Sequence, residues 1–152
     1  MKTKLYIAYG SNMDESQMAF RCPGAKLRSV SEIEGYRLIF KGSKTGAYAT
    51  IEKEEGHKVP VVVWEIEPTD EHRLDRYEGF PTFYYKEWIE INLDGEKIQG
   101  MVYMMDHDRK LGQLSYHYYK TLEDAYERFG FDKVILEKAL EDSSVEGDED
   151  VY

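Results

Sequence analysis

Short runs rich in β-branched and aromatic residues fill the first two-thirds of the chain, and helical spacing takes over in the last third. Lys4 to Tyr9 is the first apolar segment, and it breaks at Gly10-Ser11-Asn12. Asp14, with Gln17 three residues on, reads as the capped start of a short helix that Pro23-Gly24 stops. Leu27 to Ile33 and Tyr36 to Lys41 are extended segments around Gly35, and Tyr48 to Lys53 is another. Val59 to Glu67 is strongly β-branched, and its Pro60 suggests an edge or a strand start. Pro68-Thr69-Asp70 then opens a helix, with Thr69 as cap and Leu74 and Tyr77 on the inner face. Gly79 and Pro81 end it. Phe83 to Leu93 and Glu96 to Met105 flank Asp94-Gly95, a strong hairpin signal.

Ser115 caps a helix reaching Phe129, with Tyr118, Leu122, Ala125, Tyr126 and Phe129 at helical spacing and Gly130 at its end. Asp132 caps a second helix through Leu140. About six strands, mostly joined as hairpins, with two to four helices indicate one α+β domain, residues 1–140, built on a small mixed β-barrel. Beyond it, residues 141–152 read as a disordered acidic tail.

Charge sharpens that boundary. Thirty acids face twenty bases, a net of −10, yet six of the acids lie between Glu141 and Tyr152 with no base among them. The body therefore carries 24 acids against 20 bases, a net of −4. That balance speaks against a nucleic-acid partner, which needs clustered Lys and Arg. No apolar stretch reaches the length of a membrane helix, and the run before Gly10 is too short for a signal peptide. With one cysteine, Cys22, no internal disulfide exists, so a reducing, cytoplasmic setting is expected. Thirteen tyrosines suggest an interior of polar-tipped aromatics, as pockets often have.

Phosphate loops, dinucleotide fingerprints and nucleophile elbows are absent, and the four histidines never take the spacing of a helical zinc pair. Asp106-His107-Asp108 reads as a polar loop and Cys22 as a structural thiol. Two places can carry chemistry. At Tyr9-Gly10-Ser11-Asn12 a strand stops before a helix, and successive N–H groups there can form a concave anion site. At the other, Glu78 stands among Tyr77, Phe80, Phe83, Tyr84 and Tyr85, where poor solvation would raise its pKa toward that of a general base.

In that order the two stretches resemble the γ-glutamylcyclotransferase-like family (AIG2-like, γ-glutamylamine cyclotransferase type). The likeness continues through Gly35 to Phe40, Ala49-Thr50-Ile51, Val61 to Ile66, Leu74 to Gly79, and Ser115 with Tyr118 and Gly130. One departure is Leu114, where the family often has Pro. The resemblance implies a β-barrel flanked by helices. Tyr9, Gly10, Ser11 and Asn12 would hold a γ-glutamyl group, Tyr84 or Tyr85 and Tyr118 would complete the pocket, and Glu78 would act as acid and base. It implies a cyclotransferase: the substrate's α-amine attacks its own γ-carbonyl and releases 5-oxoproline with an amine or amino acid.

That chemistry needs no metal, nucleotide or other cofactor. Its partner is a small-molecule γ-glutamyl substrate, with no nucleic acid or membrane involved, for a monomer or homodimer. The short Glu78-Gly79-Phe80-Pro81 loop is closer to the branch acting on amines. Two other readings stand open: the same fold acting on a specialised γ-glutamyl biosynthetic intermediate, and a non-catalytic ligand-binding protein.

Overall fold

The computed structural model describes residues 2–43, 46–112 and 114–151, the last eight of these as backbone alone. Six strands form one mixed sheet: β1 (Lys4–Ala8), β2 (Lys26–Ser43), β3 (Gly46–Ile66), β4 (Tyr85–Leu93), β5 (Glu96–Met104) and β6 (Lys110–Leu111). Their order is β4-β5-β1-β3-β2-β6; β1 and β5 run parallel and the other pairs antiparallel. Four α-helices flank it: α1 (Glu15–Arg21), α2 (Pro68–Glu78), α3 (Tyr116–Phe129) and α4 (Lys133–Val151). Among the described residues no helix is long and apolar enough to cross a membrane.

The four separate extended segments expected between Leu27 and Glu67 are two long strands instead. Glycine does not break them; it bends them. Gly35, at φ +80°, sits at a register shift between Glu34 and Tyr36, and Gly56, at φ +86°, lies in the facing stretch of β3. A bulge of this kind sharpens twist and curls the sheet. Its far edge comes back round to β2, where the Ser31 hydroxyl donates to the Asn92 carbonyl. Pro60 lies inside β3 opposite Glu32 rather than at a strand start. The sheet tolerates it because β1 stops pairing at Ala8 and Val62, so β3 has one described neighbour there.

Val59 to Val63, Ile7, Phe40 and Leu74 are fully or nearly fully buried. Each such side chain contributes roughly 1.5–3 kcal/mol by leaving water. The hairpin at Asp94-Gly95 has both residues at positive φ, as a two-residue turn between twisted strands requires. Ser115 caps α3 by accepting from Tyr118 N–H, as expected, and Asp14 caps α1 by accepting from Gln17 N–H. The start of α2 differs. Glu67 is the cap, sharing a reciprocal pair of hydrogen bonds with Asp70, and Thr69 lies within the first turn. Pro68 is the reason: its missing N–H fits the first helical position, which puts the cap at Glu67, two residues before Thr69.

The boundary expected after Leu140 falls inside α4. Ser143, within the expected tail, is buried; its hydroxyl accepts from Phe40 N–H at 3.0 Å and donates to the Ala139 carbonyl at 2.7 Å. The side chains of 144–151 and residue 152 lie outside the described residues, so the expectation for the remainder of the tail concerns residues not described.

Candidate active site

A cavity of about 350 Å³ opens where β1 ends, between the last turn of α2, the start of β3 and the first turn of α3. Tyr9, Gly10, Ser11, Asn12, Glu78, Tyr84 and Tyr118 all line it. Leaving β1, the chain enters a single 3-10 turn, Ser11–Met13, closed by Met13 N–H on the Gly10 carbonyl at 3.0 Å. A helical turn leaves its first N–H groups without an internal acceptor, so those of Ser11 and Asn12, both cavity-lining residues, have none within the turn.

Gly10 is required for a reason other than the tight turn the sequence suggests. Its φ of −118° is open to any residue. A side chain there would instead meet the Tyr118 hydroxyl at 3.2 Å and Ala49 Cβ at 3.4 Å. The glycine lets α3 and β3 close on the turn.

Asn12 is the hub. It is 3% exposed, and every polar atom of its side chain is engaged. Nδ2 donates to the Tyr6 hydroxyl at 2.9 Å and to Glu78 Oε1 at 3.1 Å, while Oδ1 accepts from Arg21 Nη1. Its backbone carbonyl accepts from Trp64 Nε1 at 2.9 Å. Ser11 Oγ also accepts from Arg21, at 3.3 Å.

Glu78 ends α2, and Gly79 in the left-handed region, at φ +69°, turns the chain away so that the carboxyl faces the cavity. Burial among aromatics pushes its pKa up to about 7; the Arg21 charge and the Asn12 N–H pull against that shift without cancelling it. It is the one carboxylate among the residues lining this cavity. Around it, burial raises the hydroxyls of Tyr6, Tyr9, Tyr84, Tyr103 and Tyr118, so they are neutral hydrogen-bonding groups.

Tyr84 donates to the Ala49 carbonyl at 2.8 Å and so has used its proton. Tyr118 accepts from Ala49 N–H at 3.0 Å, which leaves its own proton for a further acceptor. Of the two neighbouring tyrosines expected here, Tyr84 lines the cavity and Tyr85 does not. Tyr85 begins β4 and lies near Tyr36 and Glu87, because adjacent residues entering a strand point to opposite faces. Tyr77, expected inward, is 48% exposed, and its ring lies against the Arg21 guanidinium at 3.5 Å.

Sequence reasoning passed over Arg21, Tyr6, Trp64 and Tyr103. Arg21 ends α1 just before the helix stop, but nothing in its neighbours announces a place beside the Asn12 amide and the Tyr77 ring. Cys22 is buried with its thiol pushed up to about 11 by burial, an inert interior group.

Comparison with known proteins identifies the family. The family model described as gamma-glutamyl cyclotransferase, AIG2-like, matches residues 6–121. Curated proteins named gamma-glutamylcyclotransferase are similar over 111 residues, at 33% identity for Bos taurus and 32% for Homo sapiens. Each match takes in 66% of this chain, and it spans 58% of the length of those relatives. A solved structure named gamma-glutamyl cyclotransferase superposes with a TM-score of 0.81 at 26% identity, covering 91% of this chain and 86% of the other. With most of its body matched, from the middle of β1 into α3, this chain belongs to the gamma-glutamyl cyclotransferase, AIG2-like, family.

Proposed function

We propose that the protein is a cyclotransferase acting on a small γ-glutamyl compound, with Glu78 as the group that carries the proton. The observation that bears most weight is a single carboxylate at the cavity wall, poised near neutrality and oriented by one amide. A carboxyl with a pKa of about 7 can both accept and return a proton at physiological pH. The curated relatives' shared name supports the same reading.

The reaction balances with these parts. Glu78 takes a proton from the substrate's α-ammonium, and the freed nitrogen attacks the γ-carbonyl carbon to close a five-membered ring. Holding amine and carbonyl in one molecule supplies the proximity that separate reactants lack. Ser11, Asn12 and Tyr118 line the cavity, and the backbone N–H groups of the first two with the Tyr118 hydroxyl are the donors this reading assigns to the tetrahedral oxyanion or the α-carboxylate. The amide C–N bond then breaks as Glu78 returns its proton to the leaving nitrogen. The ring nitrogen sheds a second proton, which makes the departing amine an ammonium. 5-Oxoproline and a free amine or amino acid result, and the charge is unchanged.

The test is 5-oxoproline release, followed by mass spectrometry, from γ-glutamyl amino acids, γ-glutamylamines, ε-(γ-glutamyl)lysine and glutathione, with Glu78→Gln alongside. Release from one class, reduced by roughly 10²–10⁴ in the variant, is the expected result, and the responding class names the leaving group. Unchanged release from Glu78→Gln would remove Glu78 from the mechanism. A folded protein silent on the whole panel would turn the reading toward a specialised intermediate or a binding role.

A further inference from the structure

We propose that Arg21 is a positioning residue of this site: held against Tyr77, it fixes the Asn12 amide so that Nδ2, not Oδ1, faces Glu78. The inference rests on the reading of Glu78 as the proton carrier and adds the device that presents it.

A side-chain amide has two orientations that differ in which end carries the donors. In one, Asn12 offers N–H groups to Glu78 and to the Tyr6 hydroxyl. In the other, a carbonyl oxygen would face the carboxylate. Arg21 decides between them, because a guanidinium has only donors and its Nη1 bonds to Asn12 Oδ1. With the amide turned over, donor would meet donor at Arg21 and acceptor would meet acceptor at Glu78, so both contacts fail together.

Arg21 is itself held at two points. Nη1 also reaches Ser11 Oγ at 3.3 Å, and the guanidinium plane lies 3.5 Å from the centre of the Tyr77 ring. A guanidinium stacks on an aromatic face while its edge still bonds, which an ammonium cannot do. Tyr77 precedes Glu78 on α2, so the stack ties the end of α1 to the helix that carries the carboxylate. Arg21 is not among the residues lining the cavity and therefore acts through Asn12.

Its charge has a second effect. Tyr6 and Tyr9 on the β1 side, Tyr84 ahead of β4, Tyr103 on β5 and Tyr118 on α3 face the carboxyl as neutral hydroxyls. Arg76, on the same turn of α2, also lines the cavity, but the charge that shifts Glu78 is Arg21's, and it favours the ionised form. Loss of Arg21 raises the Glu78 midpoint.

The experiment follows the Glu78 side-chain carboxyl by ¹³C NMR titration, assigned by its absence in Glu78→Gln, beside the pH profile of kcat/KM. In Arg21→Met the midpoint should rise by about one pH unit, and the acid limb of the profile should move with it. Arg21→Lys keeps the charge but loses the planar fork, so its limb stays near that of the unaltered protein while kcat falls. Tyr77→Phe keeps the stack and the Glu78 midpoint; Tyr77→Ala shifts the midpoint upward by less than Arg21→Met. An unmoved or lowered midpoint in folded Arg21→Met overturns the proposal whatever happens to the rate. If Arg21→Met does not fold, the contrast between Tyr77→Ala and Tyr77→Phe decides, since that ring is half exposed. The carboxyl titration needs no turnover, so an inactive protein would sink the cyclotransferase reading while this one was still judged.

Discussion

Helix α2 carries Glu71 and Glu78, seven residues and about two turns apart on one stripe. Burial raises both carboxyls. At Glu71 that push is outweighed by Lys4 and Lys86, whose Nζ atoms each lie 2.7 Å from one of its oxygens, and its pKa falls below the ordinary glutamate value. At Glu78 the opposing groups are a guanidinium that does not touch it and one neutral amide, so burial wins and the value rises to about 7. The same residue type on the same helix is a structural anion at one end and, in the function proposed above, the proton carrier at the other. What separates them is whether a cation touches the carboxylate, and the sheet supplies cations to Glu71 alone.

The contrast is broken most strongly by removing the poised group. A folded-state pKa of about 7 against an ordinary value of 4.5 means the folded chain holds a proton that the unfolded chain has released. Stability therefore falls as pH rises through that interval, by an amount on the order of 3 kcal/mol once Glu78 is ionised. Glu78→Gln removes this penalty. Its melting temperature should exceed that of the unaltered protein at pH 8 and match it at pH 4, in the same variant that loses turnover. Equal melting temperatures at both pH values would mean the carboxyl is not held against its own ionisation.

A smaller change pushes the two glutamates further apart. Asn12→Asp sets a second carboxyl 3.1 Å from Glu78 in place of a donor, while Arg21 remains to pair with it. Like charges at that distance raise one of the two pKa values further. The acid limb of kcat/KM should move up by about one pH unit and the rate at pH 7 should fall about fivefold. A profile that keeps its limb would show that the Asn12 donor does not help set the proton affinity of Glu78.

Much of this arrangement is legible locally. Asp14 with Gln17, Asp94-Gly95, Gly79 and Gly130 are local rules, and each acts in the fold as its neighbours imply. The two halves of the site are legible as well, because a strand-ending glycine turn and a glutamate before a glycine are short motifs. Their joining is not. Asn12 and Glu78 are 66 positions apart, and no spacing rule reaches across two long strands. Gly35 reads as a break because the same permissive backbone that ends a strand also bends one. Arg21, Trp64 and Tyr6 are invisible for a third reason: they work by holding Asn12 from three different elements, a property of packing alone.

The mildest test lies at the other glutamate. Glu71 has a depressed pKa, so its ion pairs add stability above the ordinary glutamate value, and that stability is lost as pH falls through the depressed value. Lys4 is well exposed and Lys86 only partly buried, so solvent discounts the pair to about 1 kcal/mol. Glu71→Gln should lower stability by about that much at pH 7 and by nothing in acid, a slope opposite in sign to that of Glu78→Gln. Turnover should be unchanged, since Glu71 does not line the cavity. Melting curves at pH 3, 5 and 8 for the two variants therefore place the crossover. If Glu71→Gln were to gain stability at pH 8 as Glu78→Gln does, the two lysines would not be compensating its burial, and the two ends of α2 would differ in degree rather than in kind.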